Sequence, residues 1–236
     1  GATPTYAVVN SSLPMTAIAF SFVSGRMFWV YKHLVGYSLV QTSTANLTNL
    51  ETFSSAQSVL VSPDPGIGFT FCIDDGEVLF LFKDTGIWYL PNANEDPTNW
   101  IFPKAKAEIG TISAKTVVLA KYGGVSGIIY LAADKTLRFF KSSLVRNAGV
   151  LPTLSGGDAR IISKPFQKLL DDIPDGYLSR CTASYYNGLY VLNFVSQGGS
   201  DIDTTIVVDT DKLLKKQGSD EINQPFWFLS ENMNYS

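Results

Sequence analysis

At 236 residues, 45% of them hydrophobic and 13% aromatic, the chain has the material for a large core, and a single all-β domain of this length is ordinary. Its 18 Lys+Arg against 21 Asp+Glu leave a net charge of −3, which excludes the basic footprint a protein needs to grip nucleic acid. Two cysteines, Cys72 and Cys181, are too few for a disulfide scaffold and lack the paired spacing of a metal site, so both are expected to be buried thiols.

The first apolar stretch, MTAIAFSFVSGRMFWVYKHLV, is interrupted by Arg26 and Lys32, and no basic segment precedes it. Neither a membrane span nor a signal peptide is expected there. The first residue is glycine, as after an added tag or in a module cut from a longer protein.

A repeat runs through the chain. Turn glycines followed by apolar runs occur at Gly25, Gly76, Gly127 and Gly188, in steps of 51 (25 to 76), 51 (76 to 127) and 61 (127 to 188) residues. Before each lies another strand-like run (TAIAFSF, GFTFCI, TVVLAKY, CTASYY), and each pair reads as a hairpin. Third strands are expected at GYSLV, GIWYL, TLRFF and TTIVV, and fourth strands at NWIF and PFWFL. Four antiparallel strands per unit of about fifty residues is the pattern of a β-propeller blade. The expectation is therefore an all-β propeller of four-stranded antiparallel blades with short helical insertions, one domain over 1–236. Its units fall at 16–57, 58–109, 110–160 and 177–230, with a helical insertion at 161–176.

Two runs in the second unit, VLFLF and GIWYL, are apolar at nearly every position. A strand with one wet face alternates, so these strands should be covered on both sides, with Phe80 and Trp88 buried between blades. In the insertion, Ser163 is placed to cap a helix, and Phe166, Leu169, Leu170 and Ile173 fall on one face at helical spacing. That leaves Lys164, Gln167, Lys168, Asp171 and Asp172 outward. A second short helix is expected at DTDKLLKKQG, 209–218.

No catalytic constellation emerges. His33 is the only histidine and reads as an exposed turn or strand-edge residue. The carboxylate pairs Asp74/Asp75, Asp171/Asp172, Asp201/Asp203 and Asp209/Asp211 sit at expected turns or helix ends, where aspartate bonds to its own backbone. SPDPGIGF, with Asp64, partly resembles the Asp-box of sialidase-like propellers but occurs once and reads as a plain turn. SGGD at 155–158 reads as a loop, and the sequons at Asn10, Asn46 and Asn234 carry no secretion signal with them. No catalytic, metal or cofactor residue is assigned.

In chain order, GRMFWV, VLFLFKDTGIWYL, NWIF, IGTISAKTVV, IIYLAADKTLRFF, ISKPFQKLLDDI and ASYYNGLYVLNF resemble the propeller regions of phage tail and neck proteins, the tail-nozzle and DNA-stabilisation proteins of short-tailed phages. The resemblance spans residues 20 to 230 and lies in apolar spacing, the Gly-Thr-Ile-Ser stretch and the Ile-Ser-x-Pro helix. It implies a structural virion protein, made in the host cytoplasm and placed in the tail or neck. Such a protein is a subunit of a homo-oligomeric ring, hexameric by the resemblance, that meets other tail proteins and lines or closes the genome-ejection channel, with DNA passing unbound. The insertion is then the candidate assembly contact, through Lys164, Gln167, Lys168 and Asp171. Family members are longer, so the likeness is to their propeller module. The alternatives are a carbohydrate-binding propeller, suggested by the Asp-box-like turn and the aromatics, and a protein-interaction propeller, although WD and kelch signatures are absent.

Overall fold

The computed structural model describes residues 17–40, 57–61, 67–145, 153–154, 159–214 and 224–231. The chain is all-β. Strands β1 (Ala19–Val23), β2 (Arg26–Tyr31), β3 (Leu34–Tyr37) and β4 (Ser58–Leu60) form the first sheet, in that order. The second holds β5 (Phe71–Asp74), β6 (Leu79–Lys83) and β7 (Gly86–Leu90). The third holds β8 (Val118–Tyr122), β9 (Val125–Leu131), β10 (Leu137–Lys141) and β13 (Ala159–Ile161), with a small ribbon of β11 (Leu144–Val145) and β12 (Thr153–Leu154) inserted before β13. The fourth is β14 (Thr182–Tyr186), β15 (Leu189–Phe194), β16 (Thr204–Leu214) and β17 (Gln224–Glu231). All named strand pairs are antiparallel.

The first hairpin of each sheet turns where its sequence permits a left-handed backbone. Ser24-Gly25, Gly123-Gly124 and Asn187-Gly188 each place two successive residues at positive φ, the geometry of a tight hairpin turn that matches strand twist. Gly76 sits in the longer turn between β5 and β6. Gly127 is not a turn residue: it lies inside β9, where a Cβ would strike the Phe139 ring and the Phe140 carbonyl. Glycine is needed there for close packing, and the turn belongs to Gly123-Gly124.

The sheets stack in sequence order. Leu79, Leu81, Trp88 and Leu90 of the second sheet pack with Phe28, Val30 and Val35 of the first, while the alternate residues Phe80, Phe82, Ile87 and Tyr89 pack with Ile128, Tyr130 and Phe140 of the third. The third sheet's other face, Ile129, Leu131, Leu137 and Phe139, meets Tyr190, Leu192, Phe194, Ile206 and Val208 of the fourth. Alternation in β6 and β7 therefore selects between two interfaces, not between core and water. All ten residues of these strands are buried, Phe80 wholly and Trp88 to 3% exposure, and each large ring removed from water contributes roughly 1.5–3 kcal/mol. First strands converge across neighbouring sheets, tied by Ser21 Oγ donating to Asp74 Oδ2 at 2.6 Å and by Tyr185 Oη accepting from Lys121 N at 3.1 Å.

The Gly-Thr-Ile-Ser stretch, 110–113, locks the second sheet to the third. Gly110 and Thr111 donate backbone N–H groups to Asp84 and Lys83 carbonyls, Thr111 Oγ1 donates to Leu131 O, and Ser113 Oγ donates to Leu178 O. Gly110 lies so close to the Lys83 carbonyl that no side chain fits.

Several expectations are corrected. β4 at Ser58–Leu60 belongs to the first sheet, past the 57/58 boundary, and β13 runs one residue beyond 160. NWIF is not a strand: Asp96 caps a 3-10 turn at Pro97–Asn99, and the fourth edge of the second sheet is supplied just beyond by bonds from Tyr89 N to Pro103 O and from Ala105 N to Ile87 O. The insertion runs further than 176, as a 3-10 turn Lys164–Phe166, a short helix α1 (Gln167–Asp171) and a second 3-10 turn Asp175–Arg180. Ser163 does not cap it; its hydroxyl accepts from Leu137 N and donates to Gln167 Oε1. Of the expected second helix, Asp209–Leu214 is instead the end of β16, carrying on the pairing of the β-branched run Thr204–Val208 with β17, and 215–218 lie outside the described residues. Asp209 Oδ1 accepts from Asp211 N and Lys212 N, the local bonding that suggested a cap, and here it satisfies the backbone at the register shift between Asp209 and Leu213.

Candidate functional site

At the end of the stack carrying the first-hairpin turns, a cleft of about 500 Å³ opens between the second, third and fourth sheets. Asp75 of the β5–β6 turn, Leu119 and Lys121 of β8, Ser126 of β9, Tyr185 and Asn187 of the β14 hairpin, and Asp211 of β16 line it. Each is held by its own element. Asp75 Oδ1 accepts from the Glu77 and Val78 amides at 3.2 and 3.0 Å, which fixes the carboxyl at the turn and leaves Oδ2 without a partner among the described residues. Tyr185 is aimed across the sheets by its hydroxyl, which accepts from Lys121 N and donates to Lys121 O at 3.3 Å. Asp211 stands over Gly188, where positive φ and the carboxylate both exclude a side chain. Asp75, Lys121 and Asp211 are exposed, so the cleft presents two carboxylates and one ammonium to solvent beside the apolar side of Leu119.

The arrangement suits recognition of a polar or cationic group. Its lining holds no histidine or cysteine. Neither cysteine is near it: both are buried and free of disulfides, and burial pushes the Cys72 thiol up to about 12 and the Cys181 thiol up to about 11, so neither ionises near neutral pH. His33 is in the β2–β3 turn as expected but half-buried, with Nδ1 3.1 Å from the Nζ of the fully buried Lys83. That ammonium also lies over the Phe69 and Trp88 rings, 5.1 and 4.9 Å from their centroids, making the cluster an inter-sheet tie. Among the described residues no group of His, Cys, Asp or Glu is arranged to hold a metal.

The residues expected at an assembly contact lie elsewhere. Phe166, Leu170 and Ile173 enter the core beneath the fourth sheet with Leu169 partly covered, so the apolar face of α1 is as expected. Lys164, Lys168 and Asp171 are exposed, but Gln167 is half-buried and occupied within the chain: Nε2 donates to Lys135 O and to Asp171 Oδ1. The aspartate pairs mostly take the local roles expected. Asp74 Oδ1 accepts from Gly76 N, Asp203 accepts from Ser196 and Thr204, and Asp201 pairs with Arg180. Asp64, the SGGD loop and the three sequons lie outside the described residues. Sequence reading missed the cleft because its walls come from residues 75 to 211; the one signal was that Asp75 and Asp211 each stood beside a turn.

No family model matches the chain, and no curated protein matches it. Among solved structures it is similar to Sqt1 of Saccharomyces cerevisiae, at 9% identity and a TM-score of 0.42 over 90% of this chain and 48% of that one. It is also similar to Hsv2 of Kluyveromyces lactis, at 11% identity and a TM-score of 0.42 over 91% of this chain and 60% of that one. The chain thus spans about half to three-fifths of the length of these structures. No helix among the described residues is long and apolar enough to cross a membrane.

Proposed function

We propose that the chain is a non-enzymatic, propeller-type interaction module whose turn-end cleft receives a lysine- or arginine-bearing segment of a protein partner. The observation that carries this reading is the pair of exposed carboxylates, Asp75 and Asp211, lining one cleft with an unengaged oxygen on Asp75. A carboxylate pair bonds a guanidinium or ammonium with charge assistance, and Leu119 covers an aliphatic stem. Fluorescence polarisation against short basic and acidic peptides tests it. Basic peptides should bind, and the Asp75→Asn/Asp211→Asn double variant should weaken them by about tenfold or more. Equal binding of acidic peptides, or affinity unmoved in the double variant, overturns the reading. A screen against sialosides and common polysaccharides should show no turnover, and glycan binding in that screen would favour the carbohydrate alternative.

A second reading, a ring-assembly role in a phage tail or neck, rests on the residue resemblance and on the exposed Lys164 and Lys168 of the insertion. Reversing both charges should weaken self-assembly while leaving the thermal midpoint nearly unchanged, since isolated surface charges contribute little to folding. Unchanged assembly sinks that contact.

A further inference from the structure

The turn-end cleft takes its charged groups one from each of three successive sheets: Asp75 from the β5–β6 turn, Lys121 from β8 and Asp211 from β16. The sheets stack in sequence order, so the ammonium is rooted on the sheet between the two that carry the carboxylates. All three side chains are exposed. None of them joins an ion pair among the described residues, although opposite charges do close elsewhere on the surface, Lys135 on Asp175 at 2.8 Å and Arg180 on Asp201 at 2.9 Å. Lys212, the residue after Asp211, reaches to Asp209 instead, at 3.4 Å. Lys121 is pinned at its root: the Tyr185 hydroxyl bonds its main-chain N–H and its carbonyl at 3.1 and 3.3 Å, and these bonds do not depend on the side chain the position carries.

A cleft that runs acid, base, acid across three sheets sets a condition that two carboxylates alone do not. We infer that Lys121 is the specificity-determining residue of this cleft, selecting a partner segment that carries an acidic side chain between its basic ones; the inference rests on the basic-segment reading proposed above. A segment of basic residues only would bring a cation up to the Lys121 ammonium, and like charges set together are a means by which an interface rejects wrong partners. An acidic side chain at that place pairs with the ammonium, while its basic neighbours keep the two carboxylates. In an extended segment alternate side chains point to one side, so basic, acidic and basic groups at every second residue present the complementary pattern. This preference runs against net charge. Two negative charges and one positive leave the cleft acidic, and by charge alone it would favour the most basic segment.

Fluorescence polarisation on the full chain tests it with three labelled peptides, Lys-Ser-Glu-Ser-Lys, Lys-Ser-Gln-Ser-Lys and Lys-Ser-Lys-Ser-Lys, each between the same neutral flanks. The parent should bind the glutamate peptide tightest and the all-lysine peptide weakest, with about threefold or more between them, the scale of a pair of exposed charges. Added salt should shrink that difference. Lys121→Glu should reverse the order, and Lys121→Gln should remove the preference for glutamate. Both variants should keep the parent's far-UV spectrum, because the side chain is exposed and Tyr185 bonds only the main chain at this position. A parent that binds the three peptides equally, or in order of their positive charge, overturns the inference while the basic-segment reading stands. An order that Lys121→Glu leaves unchanged does the same. A parent that binds none of the three overturns both.

Discussion

The second and fourth sheets are built from the same strand grammar and end in different environments. In the second, every residue of β6 and β7 is buried; in the fourth, β15 runs half-buried, buried, half-buried along its whole length. The sequences differ accordingly. LFLFK and GIWYL offer bulky apolar groups to both sides, whereas LYVLNF keeps its large rings, Tyr190 and Phe194, on the side facing the third sheet. The difference teaches that residue pattern reports position in the stack. A strand with neighbours on both faces has lost the need to alternate, and β15 has kept it, although β16 beside it is buried at every position from Thr204 to Thr210.

The sharpest way to break this comparison is to remove equivalent bulk from both sheets. Phe80→Ala should cost about 3–5 kcal/mol, because the ring is wholly buried against Phe140, 5.7 Å between centroids. Val191→Ala, on the outward face of the terminal sheet, should cost under about 1 kcal/mol in the single chain. Urea denaturation of both variants decides the matter. Similar losses at the two positions would mean that the outward face of the fourth sheet is already covered within the chain.

What was legible in the sequence follows the same physics. Hairpin turns are local, so Gly25, Gly76 and Gly188 mark theirs, while in the third sheet the expectation at Gly127 misses the turn at Gly123-Gly124. Faces filled by period-2 apolar residues were legible as well. Short edge strands such as β4 and β13 were not, because three residues carry no periodicity and pairing is decided by the partner strand. The end of β16 reads as helix in sequence because DTDKLLKKQG has good helix signals, which the register of Asp209–Leu214 with β17 overrides. The cleft was illegible for the most general reason: no motif brings Asp75, Lys121 and Asp211 together, and only the stacking of three sheets does.

A smaller effect should prove alike in the two halves. Tyr130, between the second and third sheets, donates its hydroxyl to Ile109 O at 2.9 Å, and Tyr190, between the third and fourth, donates to Thr116 O at 2.9 Å. Burial pushes both phenols well above their ordinary range, so each remains a donor at any working pH. Both therefore anchor the connection that carries the Gly-Thr-Ile-Ser stretch. Each Tyr→Phe variant should lose about 1–3 kcal/mol, the cost of stranding a buried carbonyl partner. A loss confined to Tyr130→Phe would show that the fourth sheet contributes little to holding the linker.

The smallest effect expected is one that ignores stack position altogether. Asp134 turns β9 into β10 in the interior third sheet, and Asp203 precedes β16 in the terminal one. For Asp134, burial works to raise the pKa, but bonds from Thr136 and Arg138 outweigh it and hold the carboxyl below its ordinary range. For Asp203, burial again opposes, and bonds from the Ser196 amide and hydroxyl and from Thr204 outweigh it in the same direction. A carboxylate whose folded pKa is depressed adds stability that is present above its unfolded value, near 3.9, and is lost as pH falls through the folded value. Asp134→Asn and Asp203→Asn should therefore each lower the thermal midpoint slightly at pH 7. Both gaps to the parent should close as the pH is taken below about 4, because protonation then removes from the parent what the substitution removed from the variant. The bonds that depress the two carboxyls come from residues in or beside their own turns, with Ser196, seven residues from Asp203, the most distant, so turn chemistry should give the two variants matching profiles. A gap at Asp134 that persists unchanged into acid would mean that its contribution comes from packing between sheets and not from the charge on the turn.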